Sequence, residues 1–122
     1  MEYTDEFGEW WNSLDEEEQV SVTAVIQLLE RKGPQIPFPY SSGIKSSTLP
    51  RLRELRIQHK GEPYRILFAF DPRRVAILLI GGNKTGDDRW YEKFVPIAEK
   101  LYEEHLQTLK RENKRLKHGQ KI

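Results

Sequence analysis

The amino-acid sequence predicts an α+β fold in which two N-terminal helices precede an antiparallel meander sheet of about three to four strands and a C-terminal helix. Three observations lead to this prediction. Apolar residues recur at helical spacing through the N-terminal third, alternate with polar residues over residues 52–70, and return to helical spacing after residue 89. The chain has 122 residues, which fits one domain with a single core.

Two helices are predicted before Gly33-Pro34, where the second should end. The first carries apolar residues at spacings of three, four and seven, on one helical face: Phe7, Trp10, Trp11 and Leu14. Ser13 and Glu16 have the spacing of a capping box, so the second helix is predicted to begin near Leu14.

A long connection rich in Pro, Ser and Gly, residues 34–50, leads from the helices to the sheet. Connections of this length are often functional, and a disordered connector fits the composition equally well. Three strands are then predicted, over residues 52–58, 64–70 and 75–80. A tight hairpin at residues 59–62 joins the first two, and a flexible polar loop at residues 81–88 follows the third.

The last predicted element is a helix that begins at about Arg89. From Lys110 onward the sequence is basic and almost free of large apolar residues, so this end is predicted to fray. The predicted organisation is one domain over residues 1–109 and a basic tail over residues 110–122, with no internal repeat.

Charge is unevenly distributed along the chain, although the formal net charge is only +1. Residues 1–30 contain nine acidic residues and no Lys or Arg, so residues 31–122 hold all 20 basic residues against ten acidic ones, a surplus of +10. One part of the surface is therefore expected to be strongly positive, unless the charges are scattered over solvated helix faces. The absence of cysteine and of a long apolar run predicts a cytoplasmic protein.

The predicted hairpin brings basic side chains together on one face of the sheet. If Gln58 pairs with Pro63, Arg56 lies opposite Arg65, and both face away from the apolar side of the strand. Two interpretations follow. Glu54 neutralises an arginine in a structural ion pair, or exposed arginines on a rigid sheet bind phosphate.

Other chemistry finds little support in the sequence. Lys84-Thr85 lacks the glycine spacing of a P-loop, the three histidines are scattered, and no nucleophile motif is present, so no cofactor or metal is predicted. The remaining features are fixed positive charges and the aromatic pair Trp90-Tyr91. These suit RNA, in which bases stack on aromatic rings, although the aromatic pair is equally well explained by packing.

Four segments of the sequence resemble toxins of the RelE/HigB kind, within the RelE/ParE superfamily of type II toxin–antitoxin systems. They are residues 3–7 (YTDEF), 52–57 (LRELRI), 64–71 (YRILFAFD) and the Lys-Thr pair that follows an apolar strand. The order and spacing of the elements match over about residues 3–105, and the strand pair is the most specific part.

The resemblance implies an mRNA interferase, a metal-free and ribosome-dependent endoribonuclease in which the 2′-hydroxyl of the RNA attacks the adjacent phosphate. Arg65 matches the strand arginine that stabilises the phosphate, and Lys84 matches a basic residue after the last strand. Tyr91 lies near the position of an aromatic residue that orients the attacked nucleotide, and Arg56 matches a further basic position. Glu54 stands where some members carry lysine, and it could act as a general base or neutralise the arginines.

The resemblance also implies the partners: a cognate antitoxin, the ribosome and messenger RNA, with operator DNA contacted only through the antitoxin and no membrane. Two alternatives share the fold. One is a ParE-like toxin that binds gyrase without cleaving RNA, and the other is a catalytically silent module that partners an antitoxin-like protein or DNA.

Overall fold

The structure is a computed structural model that describes residues 1–45, 47 and 51–120, with side chains described as far as Lys114. Its elements are β1 (Glu2–Tyr3), α1 (Asp5–Ser13), α2 (Glu16–Lys32), a 3-10 turn (Gly33–Gln35), β2 (Ser41–Gly43), β3 (Arg53–His59), β4 (Glu62–Phe70), β5 (Ala76–Asn83) and α3 (Trp90–Gln120). The predicted α+β class, with two N-terminal helices, a sheet and a C-terminal helix, is confirmed.

The sheet has more strands than the sequence predicts. Its order is β1-β5-β4-β3-β2, in which β2 to β5 form the expected antiparallel meander and β1 pairs in parallel with β5. The two additional strands span two and three residues, too few for an alternating pattern to be visible. Strand β2 lies within the predicted connection 34–50, of which residues 46 and 48–50 are outside the described residues.

The capping prediction for α2 is wrong by two residues. Asp15 is the N-cap, and its backbone N–H and carboxylate exchange hydrogen bonds of 2.9 and 2.8 Å with Glu18. Ser13 is instead the last residue of α1, where its hydroxyl donates to the Trp10 carbonyl. Both pairs have capping-box spacing, and the pair that caps is the one that follows the end of α1. Gly33 ends α2 with a φ of +56°, as predicted.

Apolar residues cover both faces of the sheet. On one face, α1 and α2 pack against strand residues that include Leu55, Ile66 and Phe68. On the other, α3 packs against Leu67 and Leu79. Successive side chains of each strand point to opposite faces, so the helix that covers a face determines whether a polar residue on that face is buried.

Gly81 and Gly82 belong to β5, so the prediction of a flexible loop beginning at residue 81 is wrong. A Cβ atom on Gly81 would collide with the ring of Trp10, and one on Gly82 would lie 2.7 Å from Trp90 Nε1. The absence of a side chain at each glycine therefore lets one tryptophan pack closely against each face of the sheet. This packing explains why glycine occupies these positions better than a turn does.

The backbone of α3 is helical through Gln120. The predicted division into a domain over residues 1–109 and a frayed tail over 110–122 stays a prediction, because residues 121–122 lie outside the described residues. Within the described part of the chain, no helix combines the length and apolar character that a membrane span requires.

Candidate active site

The hairpin of β3 and β4 sets the geometry of the candidate site. Its two-residue loop, Lys60-Gly61, has φ values of +50° and +78°, as a tight hairpin turn requires. Gln58 pairs with Pro63, and Arg56 pairs with Arg65. The register predicted from the sequence is therefore confirmed.

Arg65 is buried, contrary to the sequence prediction of an exposed arginine. It is 5 % exposed and Glu54 is 4 % exposed. The Nε atom of Arg65 lies 3.1 Å from Glu54 Oε1, and Nη1 donates to the Tyr64 carbonyl at 2.9 Å. The start of α3 covers this face, because Trp90 lies over Gly82, the β5 partner of Arg65. A strand pattern cannot reveal a helix that arrives from elsewhere in the chain.

Tyr91 completes the contact with Glu54. Its hydroxyl donates to both carboxylate oxygens, at 2.8 and 3.1 Å. Burial raises the pKa of Tyr91, and the hydrogen bond to Glu54 raises it further, outweighing an opposing effect of Arg65. The phenol therefore keeps its proton at neutral pH and serves as a hydrogen-bond donor.

Lys84 is the fourth member of this group. Its Nζ atom lies over the ring of Tyr91, 5.4 Å from the centroid. Its backbone N–H donates to the Pro63 carbonyl at 3.0 Å, so the residue is anchored at the end of β5. We call Glu54, Arg65, Lys84 and Tyr91 the Glu54 cluster.

Arg56 lies beside the Glu54 cluster but makes different contacts. Its guanidinium stacks over the ring of Phe38, 5.5 Å from the centroid, and its backbone N–H donates to the Tyr40 carbonyl at 2.9 Å. Phe38 and Tyr40 are 71 % and 45 % exposed. Neither aromatic residue was predicted from the sequence as part of the site, although exposed aromatics beside an arginine are a signal for RNA bases.

The two aromatic residues at the start of α3 have different roles. Trp90 is 1 % exposed and stacks on Phe94 with ring centroids 4.8 Å apart, so it packs as a core residue. Its Nε1 atom has no hydrogen-bond partner among the described residues. Tyr91 points to the polar cluster. The packing interpretation therefore fits Trp90, and the functional one fits Tyr91.

The chemistry available at this end of the sheet is that of a buried carboxylate, a phenol donor and two cations. Charge neutralisation between Glu54 and Arg65 matches the ion-pair interpretation, yet Arg65 Nε is not aligned for a hydrogen bond. Glu54 therefore keeps accepting capacity that its neighbours do not use. In the part of the chain that the structure describes, no three His, Asp or Glu side chains converge as a metal site would need.

Comparison with known proteins relates the chain to one family and to two proteins named as toxins. A family model described as "Phage derived protein Gp49-like (DUF891)" matches residues 9–103. The chain is 44% identical over 98 residues to "Putative toxin HigB3" of Mycobacterium tuberculosis, covering 80% of this chain and 84% of that protein. It is 40% identical over 99 residues to "Putative toxin HigB2" of the same organism, covering 80% of this chain and about half (49%) of that protein. No solved structure matches the chain.

Proposed function

Because the chain belongs to the Gp49-like family of RelE/HigB-type toxins, we propose that it is a ribosome-dependent endoribonuclease that cleaves messenger RNA without a metal. The observation that carries this proposal is the Glu54 cluster. In it, the Tyr91 phenol donates to a buried carboxylate with unused accepting capacity, and the half-exposed Lys84 ammonium group lies over the ring of that phenol. A proton acceptor next to a cation is what cleavage by an internal 2′-hydroxyl requires.

In the proposed reaction Glu54 is the general base. The substrate 2′-hydroxyl replaces the Tyr91 phenol as the donor to Glu54 and gives up its proton there. Its oxygen forms a bond to the adjacent phosphorus while the bond from phosphorus to the 5′ oxygen breaks. The products are a 2′,3′-cyclic phosphate and a 5′-hydroxyl, whose proton comes from the Lys84 ammonium.

The two cations take separate roles in this proposal. Lys84 stabilises the charge that develops on the phosphate, because it is the cation of the cluster with solvent access. Arg65 is a positioning residue, since its buried guanidinium lies against Glu54 and holds the carboxylate in place. Arg56, stacked on Phe38, binds the RNA strand at the rim.

Mapping of messenger cleavage ends in a cell-free translation reaction tests the proposal. Cuts should occur only on ribosome-bound message and should leave a 5′-hydroxyl. Glu54→Gln keeps the shape and an acceptor for Tyr91, and it should cleave about 100- to 10,000-fold more slowly. Glu92→Gln, an exposed carboxylate next to Tyr91, is the matched control and should cleave like the parent.

Two outcomes would count against the proposal. Parent-like cleavage by Glu54→Gln would leave this carboxylate with only a structural role. Growth arrest by the parent without any messenger cleavage would favour a gyrase-binding toxin on the same fold.

The proposed partner in the cell is a cognate antitoxin. Expression of the chain alone should halt bacterial growth and protein synthesis, and co-expression of the antitoxin should restore both. The surplus of +10 in residues 31–122 favours an antitoxin segment with an acidic face over the sheet or α3, so the complex should weaken as salt rises from about 50 to 500 mM. Unimpeded growth despite soluble expression of the toxin would contradict this part of the proposal.

A further inference from the structure

A second basic site lies at the start of strand β3, on the face of the sheet opposite the Glu54 cluster. A cleft of about 650 Å³ opens there, lined by the arginines Arg51, Arg53 and Arg74 and by Phe70. Arg53 directly precedes Glu54 in β3. Successive side chains of a strand point to opposite faces of the sheet, so Arg53 lies on the face opposite Glu54. The cleft is therefore distinct from the Glu54 cluster.

The three arginines have no carboxylate partner within 4 Å among the described residues. Arg53 Nε is buried without a hydrogen-bond acceptor in that same set, and its Nη2 atom reaches only the Ser41 hydroxyl, at 3.3 Å. Asp71, which also lines the cleft, accepts hydrogen bonds from Arg73 and His105. Within the described part of the chain, the cleft thus holds positive charge that no ion pair neutralises.

The backbone at Arg74 gives independent support. Its φ is +65°, in the left-handed region where glycine is favoured and a side chain costs free energy. An arginine at this position is unfavourable for folding, yet it places a guanidinium at the cleft. Residues held in such conformations cluster where side chains bind ligands.

We propose that this cleft binds RNA phosphates through Arg51, Arg53 and Arg74, with a base against Phe70. The inference rests on the proposed function, which makes RNA the macromolecule that this protein meets. Guanidinium groups bind phosphate in a bidentate manner, and an aromatic ring beside them accommodates a base. An acidic protein segment would use the arginines but would have less use for the ring, so RNA is favoured.

The test measures RNA binding apart from cleavage. Fluorescence anisotropy follows a labelled 2′-O-methyl oligoribonucleotide of about 12 nucleotides, which cannot be cleaved by 2′-hydroxyl attack. The variant Arg51→Gln/Arg53→Gln/Arg74→Gln is compared with Arg31→Gln/Lys32→Gln/Lys100→Gln, which removes equal charge from exposed positions outside the cleft. Each lost phosphate contact lowers the slope of log affinity against log salt by about 0.7. The slope of log affinity against log salt should therefore be smaller in magnitude by about 2 for the cleft variant than for the parent. For the control variant the decrease should be less than half of that.

A single variant separates binding from folding. Arg74→Gly removes the charge at a position whose backbone favours glycine. Its melting temperature should be unchanged or higher than that of the parent, while its RNA affinity falls. Weaker binding therefore cannot be attributed to misfolding.

Three results would overturn the inference. The cleft and control variants could lose equal slope, which would leave only general electrostatic attraction. The cleft variant could bind the oligonucleotide like the parent. It could also lose affinity for a poly-glutamate peptide but not for RNA, which would identify an acidic protein as the ligand. Failure of messenger cleavage by the parent, with the slope difference retained, would instead overturn the proposed catalytic function alone.

Discussion

Two buried carboxylates in this protein are surrounded in contrasting ways. The oxygens of Asp71 accept hydrogen bonds from two nitrogens of the Arg73 side chain, from His105 and from two backbone N–H groups, at 2.7 to 3.3 Å. Among the described residues, those of Glu54 accept only from the Tyr91 hydroxyl, with Arg65 close but misaligned. Asp71 is therefore saturated with donors, whereas Glu54 is not.

The contrast separates a structural carboxylate from the one that we propose as the general base. Burying a carboxylate is unfavourable unless donors replace its lost water. At Asp71 these donors include the backbone of the turn itself, so the residue holds the 71–75 turn together. At Glu54 the main donor is a phenol at the start of α3, which an incoming hydroxyl group can replace.

Replacement of Arg65 tests whether the buried Glu54 depends on its counter-charge. Arg65→Ala leaves Glu54 buried without a counter-charge, and this should lower the free energy of unfolding by about 3–5 kcal/mol. Urea unfolding measures the loss, and adding Glu54→Gln to Arg65→Ala should recover much of it. Arg56→Ala, which removes a guanidinium from the rim, should have a small effect. Parent-like stability of Arg65→Ala would mean that Glu54 does not need the ion pair.

The saturated site should respond in stability without any response in activity. Asp71→Asn loses charge-assisted hydrogen bonds from Arg73 and His105, so the free energy of unfolding should fall by about 1–3 kcal/mol. Messenger cleavage at a permissive temperature should be unchanged. Asp88→Asn, at an exposed position, is the control for the lost charge and should melt like the parent. A large loss of cleavage in folded Asp71→Asn would place this site in the function after all.

Lys84→Ala should lower cleavage with little effect on stability, the reverse of Asp71→Asn. Its ammonium is half-exposed and packs on the Tyr91 ring, so cleavage should fall about tenfold, or ~1.4 kcal/mol, with the melting temperature almost unchanged. Lys100→Ala, an exposed lysine farther along α3, should cleave at the parent rate. Equal rates for the two variants would remove Lys84 from the proposed mechanism.

The smallest expected effect is a change in the pH dependence of stability. Burial raises the pKa of Asp71, but hydrogen bonds from Arg73, His105 and the backbone outweigh it, so this pKa lies below its usual 3.8. A lowered carboxyl pKa contributes stability above the unfolded-state pKa and loses it as pH falls through the folded-state pKa.

Melting temperatures recorded against pH check this expectation. The difference in melting temperature between the parent and Asp71→Asn should be constant above about pH 5. It should shrink below pH 3.8, where Asp71 of the parent becomes protonated and loses its charge as well. Asp88→Asn should follow the parent throughout. A difference that persists unchanged into strong acid would contradict the lowered pKa.

Features that depend on neighbouring residues could be predicted from the sequence. The end of α2 follows from Gly33, the strands from alternating residues, and the pairing of Arg56 with Arg65 from the hairpin at residues 59–62. These features are local, because turn geometry and side-chain periodicity act over a few residues. The family resemblance also predicted that the protein is a toxin, and the relatives confirm this class.

Burial at the site depends on contacts between segments that are far apart in the sequence. Tyr91 reaches Glu54 across 37 positions of sequence, and Trp90 covers Gly82 beside Arg65. Nothing in the strand pattern shows that α3 lies over this face, so the sequence predicted an exposed Arg65. The short strands β1 and β2 were likewise decided by the assembled fold. The physical reason is that burial and pairing depend on distant segments, whereas caps and turns depend on adjacent ones.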